Sequence, residues 1–213
     1  MKKRILIIIG LVFVNSLPGA EVSAARNAPF SLAMYPQNIV FRDTTGWGIS
    51  SAVVAEFDST EIAVYENYSQ AGGRTTVYFH YTNRTVNANG WTLSSNNGND
   101  CFKLVTPSRG RITTEETGLC NTESNKITSA VVYLNQYSIE RDSDYISTPT
   151  WFKNFVYRHE AMHSIGFNHN VDVWYEWGGD CSPQSVINRS GCDRSDRSDT
   201  LTPNDYDLIN QYY

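Results

Sequence analysis

The distribution of apolar residues along the chain predicts several strands separated by polar segments. Runs of β-branched and aromatic residues favour extended structure, and they occur at Asn38–Arg42, Ile62–Tyr65, Thr75–Tyr81 and Ile127–Leu134. The segment Thr82–Asp100 is instead dominated by Asn, Thr, Ser and Gly. This composition predicts a loop or an irregular edge.

Three other segments carry the spacing or the end signals of helices. An apolar stripe from Trp47 to Phe57 follows two threonine hydroxyls, which predicts a helix that begins at Thr44–Thr45 and buries one face. Pro149 suits a first helical turn, and the apolar helix that it opens is predicted to end at Gly166. The tail, Leu201–Tyr213, predicts a last short helix. Strands therefore alternate with helices, without an internal repeat.

Length and composition indicate one globular domain with a single core. The chain has 213 residues, of which 40% are hydrophobic and 18% charged, whereas a disordered chain shows the opposite balance. The formal net charge is −5. An acidic chain is poorly suited to bind nucleic acid or an anionic membrane surface through its charge.

The N-terminus has the order of a secretory signal. A basic group, Lys2–Arg4, is followed by the short apolar run Ile5–Val14 and then by small residues that end at Ala24–Ala25. The apolar run is too short for a transmembrane helix, which needs about 20 apolar residues. We therefore expect a cleaved signal at 1–24, a short leader at 25–37, a domain at 38–213, and a secreted, extracellular protein that no longer contacts a membrane.

The four cysteines, Cys101, Cys120, Cys181 and Cys192, are an even number in a chain expected to be secreted. They predict two disulfides, and four cysteines allow three connectivities. Pairing by nearness in sequence gives Cys101–Cys120 and Cys181–Cys192. Zinc ligation is the alternative for these thiols, but the chain contains no pair of cysteines at CxxC spacing.

Residues 159–169 read His-Glu-Ala-Met-His-Ser-Ile-Gly-Phe-Asn-His. On a helix, His159 and His163 are one turn apart on the same face, so both imidazoles can bind one metal ion. Gly166 ends the helix with a left-handed turn that brings His169 to the same ion. Three nitrogen ligands and an open position are typical of a catalytic zinc site, in which Glu160 can reach a water on the metal. The motif therefore predicts a catalytic Zn²⁺ ion.

Other polar features favour less specific interpretations. His80 is a single histidine in an aromatic strand, and we interpret it as a packing or surface residue. The segments Asn96–Asp100 and Asp193–Asp207 leave a Ca²⁺ site open, although both compositions are also typical of ordinary polar loops.

The motif HExxHxxGxxH at His159–His169 resembles the signature of the metzincin zinc endopeptidases, with most similarity to the matrixin-like branch. The resemblance extends from about Asn38 to the C-terminus, since Ile127–Asn135 is similar to the strand before the zinc helix and Leu201–Tyr213 to the last helix. It implies an α+β fold: a twisted mixed sheet with an upper helix, a central zinc-binding helix and a small C-terminal subdomain that ends in a helix.

Two features depart from that family. Metzincins place a methionine in a turn below the zinc, and here Ile187 stands at the equivalent position in Ser185–Ile187. Isoleucine is branched at Cβ and therefore stiffer than methionine. No cysteine precedes Cys101, so latency through a propeptide thiol is not expected.

These observations predict a secreted, monomeric zinc endopeptidase that acts on proteins or peptides, with Glu160 as the general base and His159, His163 and His169 as the metal ligands. One alternative is a secreted zinc-containing binding protein on the same scaffold that has no catalytic activity. A second alternative, an amidase acting on small peptides or cell walls, would share the chemistry and differ in its substrate.

Overall fold

A computed structural model describes residues 38–60, 62–66, 75–86, 88–96, 99–100, 102–105, 113–116, 128–167, 184–188 and 192–212. The predicted signal and leader segments lie outside these ranges. Three of the cysteines, Cys101, Cys120 and Cys181, and the predicted ligand His169 also lie outside them.

The described residues form eight strands and five α-helices, together with a 3₁₀ turn at Arg194–Asp196. In chain order the elements are β1 (Asn38–Asp43), α1 (Ser50–Phe57), β2 (Ala63–Tyr65), β3 (Thr75–Thr82), β4 (Gly90–Asn96), β5 (Asn99–Asp100), β6 (Phe102–Val105), β7 (Thr113–Glu116), β8 (Ser129–Asn135), α2 (Gln136–Ile139), α3 (Ser143–Ser147), α4 (Pro149–Ser164) and α5 (Pro203–Tyr212).

The main sheet is mixed and has the strand order β2-β1-β3-β8-β4-β5. Strands β2, β1, β3 and β8 are parallel, whereas β4 runs antiparallel to both β8 and β5. Strands β6 and β7 form a separate antiparallel pair. The chain therefore has an α+β fold with a mixed sheet, as the family resemblance implied.

The helices α1 and α4 pack on the same face of this sheet. Phe57 of α1 lies edge-on to Phe41 of β1, with ring centroids 5.8 Å apart. Tyr157 of α4 stacks on Phe79 of β3 at 4.4 Å. All four rings belong to one buried cluster. Alternating strand residues thus form the core that holds α4 in place.

The opposite face of the sheet carries a row of aromatic rings that includes His80. The His80 ring stacks on Tyr78 at 6.1 Å and lies 6.0 Å from the Tyr133 ring. Its Nδ1 is 2.9 Å from the hydroxyl of Thr44. These contacts agree with the interpretation of His80 as a packing residue.

The first helix begins later than predicted, at Ser50 instead of Thr44–Thr45. Gly46 and Gly48 adopt φ values of 72° and 69°, a left-handed conformation that interrupts a helix. The Thr45 hydroxyl accepts a hydrogen bond from the Trp47 backbone N–H at 3.2 Å within this loop. The apolar stripe therefore begins in a turn and becomes helical only after Ile49.

Of the two alternatives for Thr82–Asp100, a loop or an irregular edge, the loop is wrong for the second half, which forms β4 and β5 at one edge of the main sheet. The backbone pairing of β4 with β8 compensates for its polar composition. Trp91 anchors the strand, because its ring stacks on Tyr133 at 5.4 Å.

An ion pair between buried Arg158 and partly buried Glu56 connects α4 to α1. The Arg158 guanidinium binds both carboxylate oxygens of Glu56, with Nε donating to Oε2 at 2.7 Å. The same Oε2 accepts a hydrogen bond from the Leu201 backbone N–H at 3.2 Å. The pair thus connects α1, α4 and the segment before α5 at the residue next to His159.

In the described part of the chain, Cys192 is disulfide-bonded. The predicted pairing with Cys181 involves a residue outside the described ranges. Among the described helices, none has the length and apolar character needed to cross a bilayer.

Candidate metal centre

The histidines of α4 converge as their helical spacing predicts. His159 and His163 face each other with ring centroids 4.7 Å apart and planes at 88°, and their Nε2 atoms are separated by 3.1 Å. One ligand atom from each of His159, Glu160 and His163 lies within 4.8 Å of the others. The structure therefore brings together three of the four predicted site residues, and His169 is outside the described ranges.

The end of α4 orients the second histidine. Gly166 has a φ of 100°, which a residue with a Cβ rarely adopts. The Phe167 N–H binds the Met162 carbonyl at 3.1 Å, and the Gly166 N–H binds the His163 carbonyl at 3.0 Å. These two bonds form a Schellman motif, which turns the chain back on the helix. The Phe167 carbonyl consequently lies 2.6 Å from Nδ1 of His163.

A turn at residues 185–188 orients the first histidine. The Val186 carbonyl lies 2.8 Å from Nδ1 of His159. Asp205, near the start of α5, holds this turn: its carboxylate accepts hydrogen bonds from the Ser185 hydroxyl and from the Val186 N–H at 3.3 Å. Ile187 is buried in the core next to this bond.

The hydrogen bonds determine the tautomer of both rings. A carbonyl can only accept, so Nδ1 carries the proton in His159 and in His163, and Nε2 of each neutral ring is an acceptor. Two acceptors that face each other at 3.1 Å repel unless a cation lies between their lone pairs. Two nitrogen ligands of a tetrahedral zinc ion lie roughly 3.3 Å apart. The donor set and spacing therefore fit zinc.

Burial perturbs the pKa of all three groups. It lowers the pKa of His159 to about 3, with a further contribution from neighbouring His163, and it lowers the pKa of His163 to about 4. Burial raises the pKa of Glu160 to about 8, against the opposing effect of a hydrogen bond from Thr92. Neutral imidazoles are the form that binds a metal ion.

The Glu160 side chain lies against β4. The Thr92 hydroxyl is 2.9 Å from Oε2 of Glu160 and 3.1 Å from its backbone carbonyl oxygen. A Cβ atom added to Gly90 would lie 2.7 Å from both Cγ and Oε1 of Glu160. The carboxylate therefore occupies space that only a glycine leaves open.

Comparison of the chain with protein-family models, curated proteins and solved structures finds no match. The chemistry of the centre is therefore inferred from the geometry of its residues.

Residues that support the centre were not identified from the sequence. Thr92 and Gly90 lie in the segment predicted as a loop or an irregular edge, although the alternation of Trp91 and Leu93 with polar residues is a strand signal. Asp205 stands three residues after Thr202, the spacing of a capping box, which indicates a helix start but not a contact with the turn at Ser185.

Among the described residues, the acidic side chains of Asp193–Asp207 do not form a second cluster of this kind. Asp205 is engaged as described above, and Asp196 belongs to the 3₁₀ turn. The segment Asn96–Asp100 is described only in part, and Ca²⁺ remains an expectation from composition alone.

Proposed function

We propose that the protein is a secreted zinc-dependent endopeptidase of metzincin type. One observation carries the proposal: the buried imidazole of His159 and the partly buried imidazole of His163 place their Nε2 atoms 3.1 Å apart, beside the buried carboxylate of Glu160. His159 and His163 would hold the ion together with the predicted third ligand His169. An α+β fold with a mixed sheet and a central histidine-bearing helix is compatible with this family.

A bound zinc ion would supply Lewis acidity, which polarises the scissile carbonyl and makes water more acidic. The protein supplies the proton transfers. Glu160 accepts a proton from the attacking water and later delivers it to the nitrogen of the leaving amine. The carbonyls of Val186 and Phe167 keep the proton of each histidine on Nδ1, so Nε2 of each ring would be the atom that binds the ion.

The surroundings of Glu160 suit this function. An exposed glutamate has a pKa near 4.3 and is a weak base. Burial raises the pKa of Glu160 to about 8. A bound cation would lower this pKa again and would place the carboxyl in the range where it can both accept and release a proton near neutral pH.

Secretion and the substrate class form part of the same proposal. The disulfide at Cys192 supports an oxidising compartment, because disulfides are rare in the cytosol. We propose a monomer that acts on proteins or peptides, without nucleic acid as a partner.

A peptide-library digest with the parent protein and Glu160→Gln tests the proposal. The amide keeps the shape of the side chain but cannot accept the proton. We expect the variant to bind zinc like the parent and to cleave at least about 100-fold more slowly. A chelator should abolish cleavage by the parent. Glu140→Gln is the matched control, since Glu140 is an exposed carboxylate, and it should keep the parent rate.

Equal rates for the parent and Glu160→Gln would show that Glu160 is not the base. If both proteins bind zinc and neither cleaves any peptide, the alternative of a non-catalytic zinc-binding protein replaces the peptidase. Cleavage restricted to short peptides or cell-wall amides would support the amidase alternative.

A further inference from the structure

We propose that strand β4 positions the general base, with Thr92 holding one carboxylate oxygen of Glu160 and Gly90 leaving room for the other. This inference rests on the proposed function. It assigns two positioning residues to that function, both in a segment whose composition predicted a loop or an irregular edge.

Thr92 contacts Glu160 at two points. Its hydroxyl lies 2.9 Å from Oε2 and 3.1 Å from the backbone carbonyl oxygen of the same residue. Oε2 therefore accepts a hydrogen bond from Thr92, and Oε1 is the oxygen that can accept the proton of the attacking water. A carboxylate bound at one oxygen has fewer accessible rotamers, so less conformational freedom is lost when it meets the attacking water.

Gly90 leaves room for the Glu160 side chain because it has no Cβ atom. A Cβ at this position would lie 2.7 Å from Oε1 and 2.9 Å from Cδ of Glu160. Gly90 does not have a positive φ, so alanine would not strain the backbone. The atoms in conflict, from Cγ to Oε1, belong to the Glu160 side chain and not to the backbone, and Gly90→Ala should therefore displace this side chain.

The register between β4 and β8 places both Thr92 and Gly90 next to Glu160. Strand β4 pairs antiparallel with β8, placing Gly90 opposite Leu134 and Thr92 opposite Val132. Leu134 and Val132 face the helices as part of the core. Gly90 and Thr92 are two residues apart and thus face α4 as well. Trp91 points to the other face, where it stacks on Tyr133.

Four variants test this inference. Thr92→Val removes the hydroxyl at constant volume, Thr92→Ser keeps it, Gly90→Ala displaces Glu160, and Ser95→Ala is the control. Ser95 also carries a hydrogen-bonded hydroxyl on β4, but its partner is Ser129 on the opposite face, at 2.6 Å. We expect Thr92→Val and Gly90→Ala to lower kcat about tenfold or more at unchanged KM, and Thr92→Ser and Ser95→Ala to remain near the parent.

Two further readouts separate positioning from a general structural effect. Zinc content should be the same in all four variants, because none replaces a metal ligand. In a Glu160→Gln background, Thr92→Val should produce little further loss of rate, since the base is already absent. A loss of the same size in both backgrounds would overturn the inference, as would full kcat in Thr92→Val.

The outcome for the parent distinguishes the two proposals. A parent protein that binds zinc but hydrolyses no peptide overturns the proposed function, and this inference with it. An active parent whose Glu160→Gln variant is inactive, while Thr92→Val and Gly90→Ala keep full kcat, overturns this inference alone.

Discussion

The buried carboxylate of Asp205 holds the turn that orients His159. This carboxylate is fully buried and accepts four hydrogen bonds, from the Ser185 hydroxyl, the Val186 N–H, the Thr202 N–H and the Thr202 hydroxyl. The Val186 carbonyl in the same turn lies 2.8 Å from Nδ1 of His159. Asp205→Ala should therefore affect both stability and metal binding.

The magnitude follows from the donors that lose their acceptor. In Asp205→Ala the backbone N–H groups of Val186 and Thr202 are left buried without one, at about 1–3 kcal/mol each. We expect the free energy of unfolding to fall by about 2–6 kcal/mol, a large part of the total stability of a typical domain.

Asp205→Asn is the matched conservative variant. Its amide oxygen can accept from both backbone N–H groups, and its NH₂ group can donate to the Ser185 hydroxyl oxygen. Burial holds the pKa of Asp205 above its ordinary value, so an uncharged isostere is tolerated at this position. The loss should be about 1 kcal/mol or less. Asp207→Ala, an exposed acidic residue on the same helix, should have little effect.

Urea unfolding and zinc competition with a chromophoric chelator measure the two effects. For Asp205→Ala we expect zinc affinity to fall about 10- to 100-fold, as is typical when a group that orients a ligand is lost. If Asp205→Ala unfolds within about 1 kcal/mol of the parent and binds zinc equally well, the turn does not depend on Asp205 and the reasoning fails.

Two further predictions concern the histidines. Unfolded histidines titrate near about 6.5, while in the folded metal-free protein the pKa is about 3 for His159 and about 4 for His163. As the pH falls below about 6.5, the unfolded chain takes up protons on these histidines that the folded protein does not, so each histidine should lower the free energy of unfolding by about 2 kcal/mol between pH 7 and pH 5. Glu160, whose pKa in the folded protein is about 8, holds a proton in the folded state over the same range and opposes this effect. Urea unfolding of the metal-free Glu160→Gln variant at both values therefore isolates the histidines, and a flat profile in that variant contradicts the prediction. His163→Ala should lose most bound zinc in metal analysis, whereas His80→Ala should retain it, and stoichiometric zinc in His163→Ala would show that the ligand set is wrong.

Features that depend on neighbouring residues could be predicted from the sequence. The spacing of His159 and His163 determines that both rings lie on one face of a helix, because an α-helix repeats every 3.6 residues. Gly166 marks the helix end for an equally local reason, since the Schellman motif needs a left-handed residue there. The same holds for α4 and α5, and for the apolar strands of the parallel part of the sheet.

The formation of strand β4 depends on contacts in the tertiary structure. Its polar composition is that of a loop, and it becomes a strand because the edge of β8 offers backbone partners from Gly90 to Ser95. Strand pairing of this kind joins segments that are distant in sequence, so local propensity does not reveal it. The placement of Thr92 and Gly90 against Glu160 follows from that register.

Local spacing thus specifies the three groups that α4 contributes to the centre and the order in which the helix presents them. Contacts between segments distant in the chain establish which nitrogen of each imidazole carries the proton and which oxygen of Glu160 is hydrogen-bonded. The Val186 carbonyl reaches His159 across 27 residues of chain, and the Thr92 hydroxyl reaches Glu160 across 68. Backbone carbonyls have no sequence signature, because every residue carries one. Their use as partners of the site depends on where the folded chain brings them.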